Sequence, residues 1–223
     1  MKTDENSFQL FRAQSPEAPL VLLHTYEKGG GEVFEKCREL GCPDFSLAAI
    51  TVPDWNGDLS PWEAASLGRE EPPFGGRADA HLDVLLSDIL PAVKDALGGT
   101  PRTVLLAGYS LAGLFALYAA TKCDAFGAVA SCSGSLWFPG FREYMLSCDA
   151  AALPKTVYLS LGDREARTKN EQLRTVEDNT RAIAAHLAQN GADTVFELNK
   201  GNHFQQGALR TAKGIRWILQ HAA

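Results

Sequence analysis

The sequence predicts an α/β fold, with a mostly parallel central sheet and helices on both of its faces. Two observations predict it. Apolar runs of strand length alternate along the chain with longer segments of helical period. Strands separated by helices must also cross over in parallel, with a right-handed wrap that covers both faces of the sheet.

The elements follow in order. Residues 7–12 (S-F-Q-L-F-R) alternate with period two and predict an edge strand. Residues 20–23 are continuously apolar, as a strand buried on both faces requires. Residues 32–40 have helical spacing (Val33, Phe34, Cys37, Leu40) that stops at Gly41, and 45–52 form the next strand. Residues 53–77 have no period and are rich in Pro, Gly, Trp and charge. A loop this long in a compact domain is functional or disordered, and Trp55 and Trp62 argue against disorder.

Residues 78–97 read as a helix with Leu82, Leu85, Leu86, Ile89 and Leu90 on one side, a kink or break at Pro91, and Gly98-Gly99 as its end. A strand at 103–107 leads through A-G-Y-S-L-A-G into a strongly apolar helix at 111–120. Then come a strand at 126–131, a short helix at 139–147, a strand at 156–161, a long helix at 171–189, a strand at 194–198 and a last helix at 205–220. Arg210, Lys213 and Arg216 read as the solvated face of that last helix.

Composition narrows the function classes. The chain has 223 residues, 45% apolar and 22% charged, which suits a single soluble domain over residues 1–223. Its net charge of -6 argues against nucleic acid or an anionic membrane as partner. No apolar run approaches the roughly 20 residues that span a bilayer. The start is polar and acidic with no apolar core behind it, so no signal peptide is expected. Five cysteines without framework or zinc spacing read as buried free thiols of a cytoplasmic protein, with no metal. Oligomeric state is not legible.

In parallel sheets, sites lie beyond the carboxyl ends of the strands. Ser110 is the first chemically competent residue after the strand at 103–107. A sharp strand-to-helix turn exposes such a serine and aims the next backbone N–H at a developing oxyanion. Gly108, Ala112 and Gly113 supply the small residues such a turn needs, with Ala112 where G-x-S-x-G has its last glycine. The strand at 156–161 runs into Gly162-Asp163-Arg164-Glu165. A carboxylate there can orient a histidine. Glu165 has the G-x-x-acid spacing and is preferred; Asp163 is nearer the strand end, has the shorter reach and stays as the alternative. His203 follows the last strand in Asn199-Lys200-Gly201-Asn202-His203-Phe204. Serine, acid, histidine is the chain order of one large hydrolase class.

The remaining histidines rank lower. His81, His186 and His221 read as surface or packing residues. His24 ends the strand at 20–23, and the loop after that strand supplies a second oxyanion donor in this architecture, so the candidates are the backbone N–H groups of Tyr26 and Leu111. Gly29-Gly30-Gly31 lacks the spacing of a phosphate cradle.

On Gly108-Tyr109-Ser110-Leu111-Ala112-Gly113-Leu114, Ser133-Gly134-Ser135-Leu136-Trp137, Gly162-Asp163-Arg164-Glu165 and Gly201-Asn202-His203-Phe204, the sequence resembles the α/β-hydrolase superfamily. More narrowly it resembles the "putative esterase" group, with esterase D, feruloyl esterases and enterobactin-type siderophore esterases. The S-x-S-L-W stretch is especially similar to siderophore esterases. The resemblance covers residues 19–220. It implies an α/β-hydrolase fold with a minimal cap domain or none, and a serine esterase with no cofactor acting on a small-molecule ester. Residues 53–77 would then cover the substrate, with Trp55, Asp58, Trp62 and Trp137 as candidate binding residues. His24-Thr25-Tyr26 departs from the His-Gly of many members, which weakens the Tyr26 assignment. Two rival functions use the same residues: an acyltransferase, and a non-catalytic binding protein on a hydrolase scaffold.

Overall fold

The computed structural model describes residues 8–26, 29–68 and 71–222. Its strands, in chain order, are β1 (Phe8–Phe11), β2 (Leu20–Thr25), β3 (Ser46–Thr51), β4 (Glu63–Ala64), β5 (Phe74–Gly75), β6 (Val104–Tyr109), β7 (Ala128–Cys132), β8 (Thr156–Gly162) and β9 (Asp193–Asn199). The helices are α1 (Gly30–Glu39), α2 (Trp55–Asp58), α3 (Ala78–Val84), α4 (Leu90–Leu97), α5 (Leu111–Lys122), α6 (Phe141–Ser147), α7 (Glu171–Arg174), α8 (Val176–Gln189) and α9 (Gly207–His221).

Period two decides the layers. Every residue of β2 is buried, and its side chains leave on alternate faces. Leu20 and Leu22 enter one core with α3, α4, α5, α6 and α8, while Val21 and Leu23 enter the other with α1 and α9. The main sheet has seven strands in the order β1-β3-β2-β6-β7-β8-β9. Only β1 is antiparallel to its neighbour, β3, and it is an edge strand as its alternation predicts. Helix α5 is apolar all round and buried from Leu111 to Ala120, which makes it the central helix of its layer.

The chain leaves β2 for β3 on one side, then returns past β2 to β6 on the other. Strand order reverses between β2 and β6, so a crevice opens beyond their carboxyl ends. Thr25 ends one of these strands and Tyr109 ends the other.

Three elements differ from expectation. The helix is not broken at Pro91. It widens into one π-helical turn, Leu85–Ile89, with the Leu90 N–H donating to the Leu85 carbonyl. Pro91, which has no N–H to donate, falls in the first turn of α4, where it is tolerated. The long helix at 171–189 is interrupted at Thr175, whose hydroxyl donates to the Gln172 carbonyl. The described residues of 53–77 carry three short elements, α2, β4 and β5. Asp54 caps α2 by accepting from the Gly57 N–H (3.0 Å), and Arg77 closes the excursion through Asp54 and Asp58.

The glycine run at 29–31 has a packing role. A Cβ on Gly30 would lie 2.2 Å from the Ala49 Cβ, so the glycine lets α1 press onto the sheet. All five cysteines are free thiols, but only Cys37 and Cys132 are buried; the other three are half-buried. Among the described residues no helix is long and apolar enough to cross a membrane.

Candidate active site

Ser110 stands alone between β6 and α5, with φ 59° and ψ −124°. Side chains avoid this region, at a cost on the order of 1–3 kcal/mol. Hydrogen bonds on both sides hold it there. Its N–H donates to the Cys132 carbonyl (3.1 Å), and its carbonyl accepts from Gly113 (3.0 Å) and Ser135 (3.0 Å). A Cβ on Gly108 would lie 2.2 Å from the Ala112 carbonyl oxygen, so only glycine lets the turn close this tightly. Ala112 itself fits, fully buried in the helix.

The Ser110 Oγ lies 3.0 Å from His203 Nε2, and His203 Nδ1 lies 2.8 Å from Glu165 Oε2. A carboxylate only accepts, so Nδ1 carries the proton and Nε2 turns a lone pair toward the serine. The other oxygen of Glu165, Oε1, accepts from the Gly162 N–H (2.6 Å), the Ser133 hydroxyl (2.8 Å) and Arg210 Nη1 (2.9 Å). Burial pushes the Glu165 carboxyl up. The hydrogen bond and charge of His203, with Gly162 and Ser133, outweigh burial and hold it below the usual carboxylate range.

Asp163, the alternative acid, is placed elsewhere. It is half exposed and accepts from the Gly201 N–H (2.9 Å), which pins the histidine loop without reaching the imidazole. The Tyr109 hydroxyl holds the same loop by donating to the His203 carbonyl (2.6 Å).

Leu111 is the first residue of α5, so its N–H has no acceptor within the helix. Tyr26 lines the same cleft as Ser110, its ring edge-on to Trp55. Two clefts meet at Ser110. One, of about 500 Å³, is walled by His24, Tyr26, Trp55, Tyr109 and Phe204. The other, of about 420 Å³, is walled by Leu67, Trp137, Arg164, Arg167 and Phe204. Phe204 borders both and is 92% exposed.

The other two candidate binding residues fall outside the described walls of both clefts. Asp58 pairs with Arg77 (2.9 Å). Trp62 packs on Phe138, Phe141 and Tyr144, and its Nε1 donates to the Pro139 carbonyl (2.9 Å).

Two residues have more to do than the sequence reading gave them. Arg210 does not lie on a solvated face: its side chain is 1% exposed, against Glu165. The signal was its spacing, since Arg210, Gly214 and Ile218 fall four apart and the last two are buried. His81 is neither free surface nor simple packing. Its Nε2 meets the Nε2 of His24 at 3.0 Å, at the back of the first cleft. Burial lowers the pKa of both rings; the charge of His81 adds to this at His24, while Asp58 opposes it at His81.

A parallel sheet with a serine on a strained turn at its switch point, and an acid and a histidine on later strand-end loops, defines an α/β hydrolase. The chain belongs to the "Putative esterase" family, whose model matches residues 44–207. It is 26% identical over 209 residues to the uncharacterized protein YbbA of Bacillus subtilis (strain 168), a match covering 86% of this chain and 84% of that one. The IroE-like serine hydrolase from Shewanella oneidensis has the same fold, with a TM-score of 0.76 at 20% identity over 96% of this chain and 75% of its own. The siderophore hydrolase EstA from Aspergillus nidulans gives 0.71 at 18% identity, over 97% and 95%. The enterobactin esterase FES from Shigella flexneri gives 0.68 at 20% identity, over 96% of this chain and 55% of its own length.

Proposed function

We propose that the protein is a serine esterase that cleaves a carboxylic ester through an acyl-enzyme. The observation that carries this is the unbroken line from Ser110 Oγ to His203 Nε2 (3.0 Å) and from His203 Nδ1 to Glu165 (2.8 Å). Ser110 attacks the ester carbonyl as His203 takes its proton. Glu165 stays ionised and stabilises the imidazolium without accepting the proton. The oxyanion is received by the backbone N–H groups of Leu111 and Tyr26, each donor worth about 2.7–4 kcal/mol of barrier. The tetrahedral intermediate collapses, and His203 gives its proton to the departing alcohol. Water then attacks the acyl-enzyme by the same steps, releasing the acid and free Ser110.

The two clefts support a reading of the substrate class. The first is aromatic and suits a flat apolar group. The second holds two arginines and suits a negatively charged group. An ester joining an aromatic part to an anionic part fits both. The names of EstA and FES keep siderophore esters within that set.

A fluorophosphonate probe should label the wild-type protein at Ser110. Ser110→Ala should block labelling and lower kcat on p-nitrophenyl esters by about 10⁴-fold or more. Equal labelling of the variant would remove Ser110 as the nucleophile.

A further inference from the structure

Arg210 reaches the loops after β7, β8 and β9 and the end of β6. From α9, its guanidinium donates to Glu165 Oε1 (2.9 Å) after β8, to Ser133 Oγ (3.1 Å) after β7, and to the Lys200 carbonyl (3.2 Å) after β9. A longer contact (3.4 Å) reaches the Tyr109 hydroxyl, one residue before Ser110. We propose that Arg210 is the positioning residue of the triad, holding the Glu165 carboxylate in the orientation that meets His203 and tying the histidine loop to the serine turn. This rests on the esterase reading of Ser110, His203 and Glu165.

Three physical arguments support it. A carboxylate has two equivalent oxygens and can rotate between them. Here Oε1 is held by three donors, Arg210 among them, and Oε2 is left to His203. Held in this plane, the carboxylate accepts from Nδ1 and leaves Nε2 to the serine. Second, a buried carboxylate is costly unless a cation and hydrogen bonds accompany it, and a guanidinium is always charged. Third, Arg210 holds the Lys200 carbonyl, while Tyr109, at its other side, holds the His203 carbonyl. The base and the nucleophile are thereby referred to one buried group. Arg210 lies in the described wall of neither cleft, so it acts through other residues and not on substrate.

The charge has a sign that can be read out. Arg210 neutralises part of the field that Glu165 exerts on His203. Without it, the carboxylate favours a protonated imidazole more strongly. The acidic limb of the pH–rate profile should therefore move to higher pH.

The test compares Arg210→Met and Arg210→Lys with the wild type, after thermal melts establish folding. Both kinetics on p-nitrophenyl esters and the rate of fluorophosphonate labelling are measured across pH. Arg210→Met should lose about 100-fold in kcat with KM within threefold, and its acidic limb should rise by about one pH unit. Arg210→Lys keeps the charge but not the fork, so it should restore the limb and recover at least tenfold of the lost rate.

A folded Arg210→Met with kcat within threefold of wild type would overturn the proposal. So would a loss confined to KM with the limb unmoved, or a Lys variant no better than Met. If the Met variant does not fold, the Lys variant decides against wild type. A limb in place with kcat within tenfold supports the proposal; a limb displaced by a full unit overturns it. A wild type that neither turns over esters nor takes the probe at Ser110 would instead sink the esterase reading itself.

Discussion

Positions 108 and 112 are both small, for different reasons. At Gly108 a side chain would meet the backbone of Ala112 at 2.2 Å, and backbone cannot swing aside. At Ala112 the methyl is already accommodated in the buried turn. Gly108→Ala should therefore cost about 1–3 kcal/mol in thermal or denaturant unfolding and remove most esterase activity. Ala112→Gly should cost no more than about 1 kcal/mol and keep kcat within threefold. The reverse ranking would mean that the turn is held by something other than this contact.

The same scale shows what the sequence could convey. Ser110, Glu165 and His203 were legible because each residue type follows a strand and the order is chemically meaningful. Arg210 was not, although its four-residue spacing to Gly214 was on view. A charged residue is read as solvated unless its partner is known, and Glu165 lies 45 positions away. Glu165 was preferred over Asp163 on its G-x-x-acid spacing and its reach; in the fold the Asp163 carboxylate accepts from the Gly201 N–H and Glu165 meets His203.

Among the elements, β2 and α3 are joined by a pair of histidines that no local pattern connects. His24 is 2% exposed, and its Nε2 meets that of His81, so one ring donates and the other accepts while both are neutral. Both have a lowered pKa in the fold. As pH falls below about 6.5, the unfolded chain takes up protons first. Stability from this pair is complete above that pH and drains as pH falls toward the lowered folded values. Denaturant midpoints should fall from pH 7 to pH 5, and His24→Gln, which cannot titrate, should show a smaller fall. An equal fall in both proteins would place the acid sensitivity elsewhere. The short elements within 53–77 were not legible for a similar reason. Their order comes from Arg77 reaching back to Asp54 and Asp58, not from any period.

At the scale of the molecule, charge is unevenly spent. The chain carries -6 overall, yet the second cleft presents Arg164 and Arg167 beside Ser110. Arg164 leans on Gln205 (3.1 Å) and lies 3.9 Å from Asp163, while Arg167 has no ion pair among the described residues. An aryl ester carrying a carboxylate should thus show a higher kcat/KM than its neutral isostere, and the advantage should shrink as salt is raised. Arg167→Gln should cut that preference by about two- to fivefold and leave the neutral ester unchanged, as loss of one exposed charge implies. No preference in the wild type would retire the anionic half of the substrate description. The parallel sheet itself was legible from continuous runs such as 20–23. The strand order was not, because it depends on which runs pair across long distances, and with it went the position of the crevice.

The meeting of the two clefts has a consequence for how such a protein can change. Tyr26 and Trp55 touch only one cleft, and Trp137, Arg164 and Arg167 only the other. On the proposed esterase reading, selection can alter taste for one half of an ester without disturbing the other, as long as it leaves the shared floor alone. Phe204 is the exception: among the described residues it is the rim residue that borders both, so its replacement trades the two halves against each other.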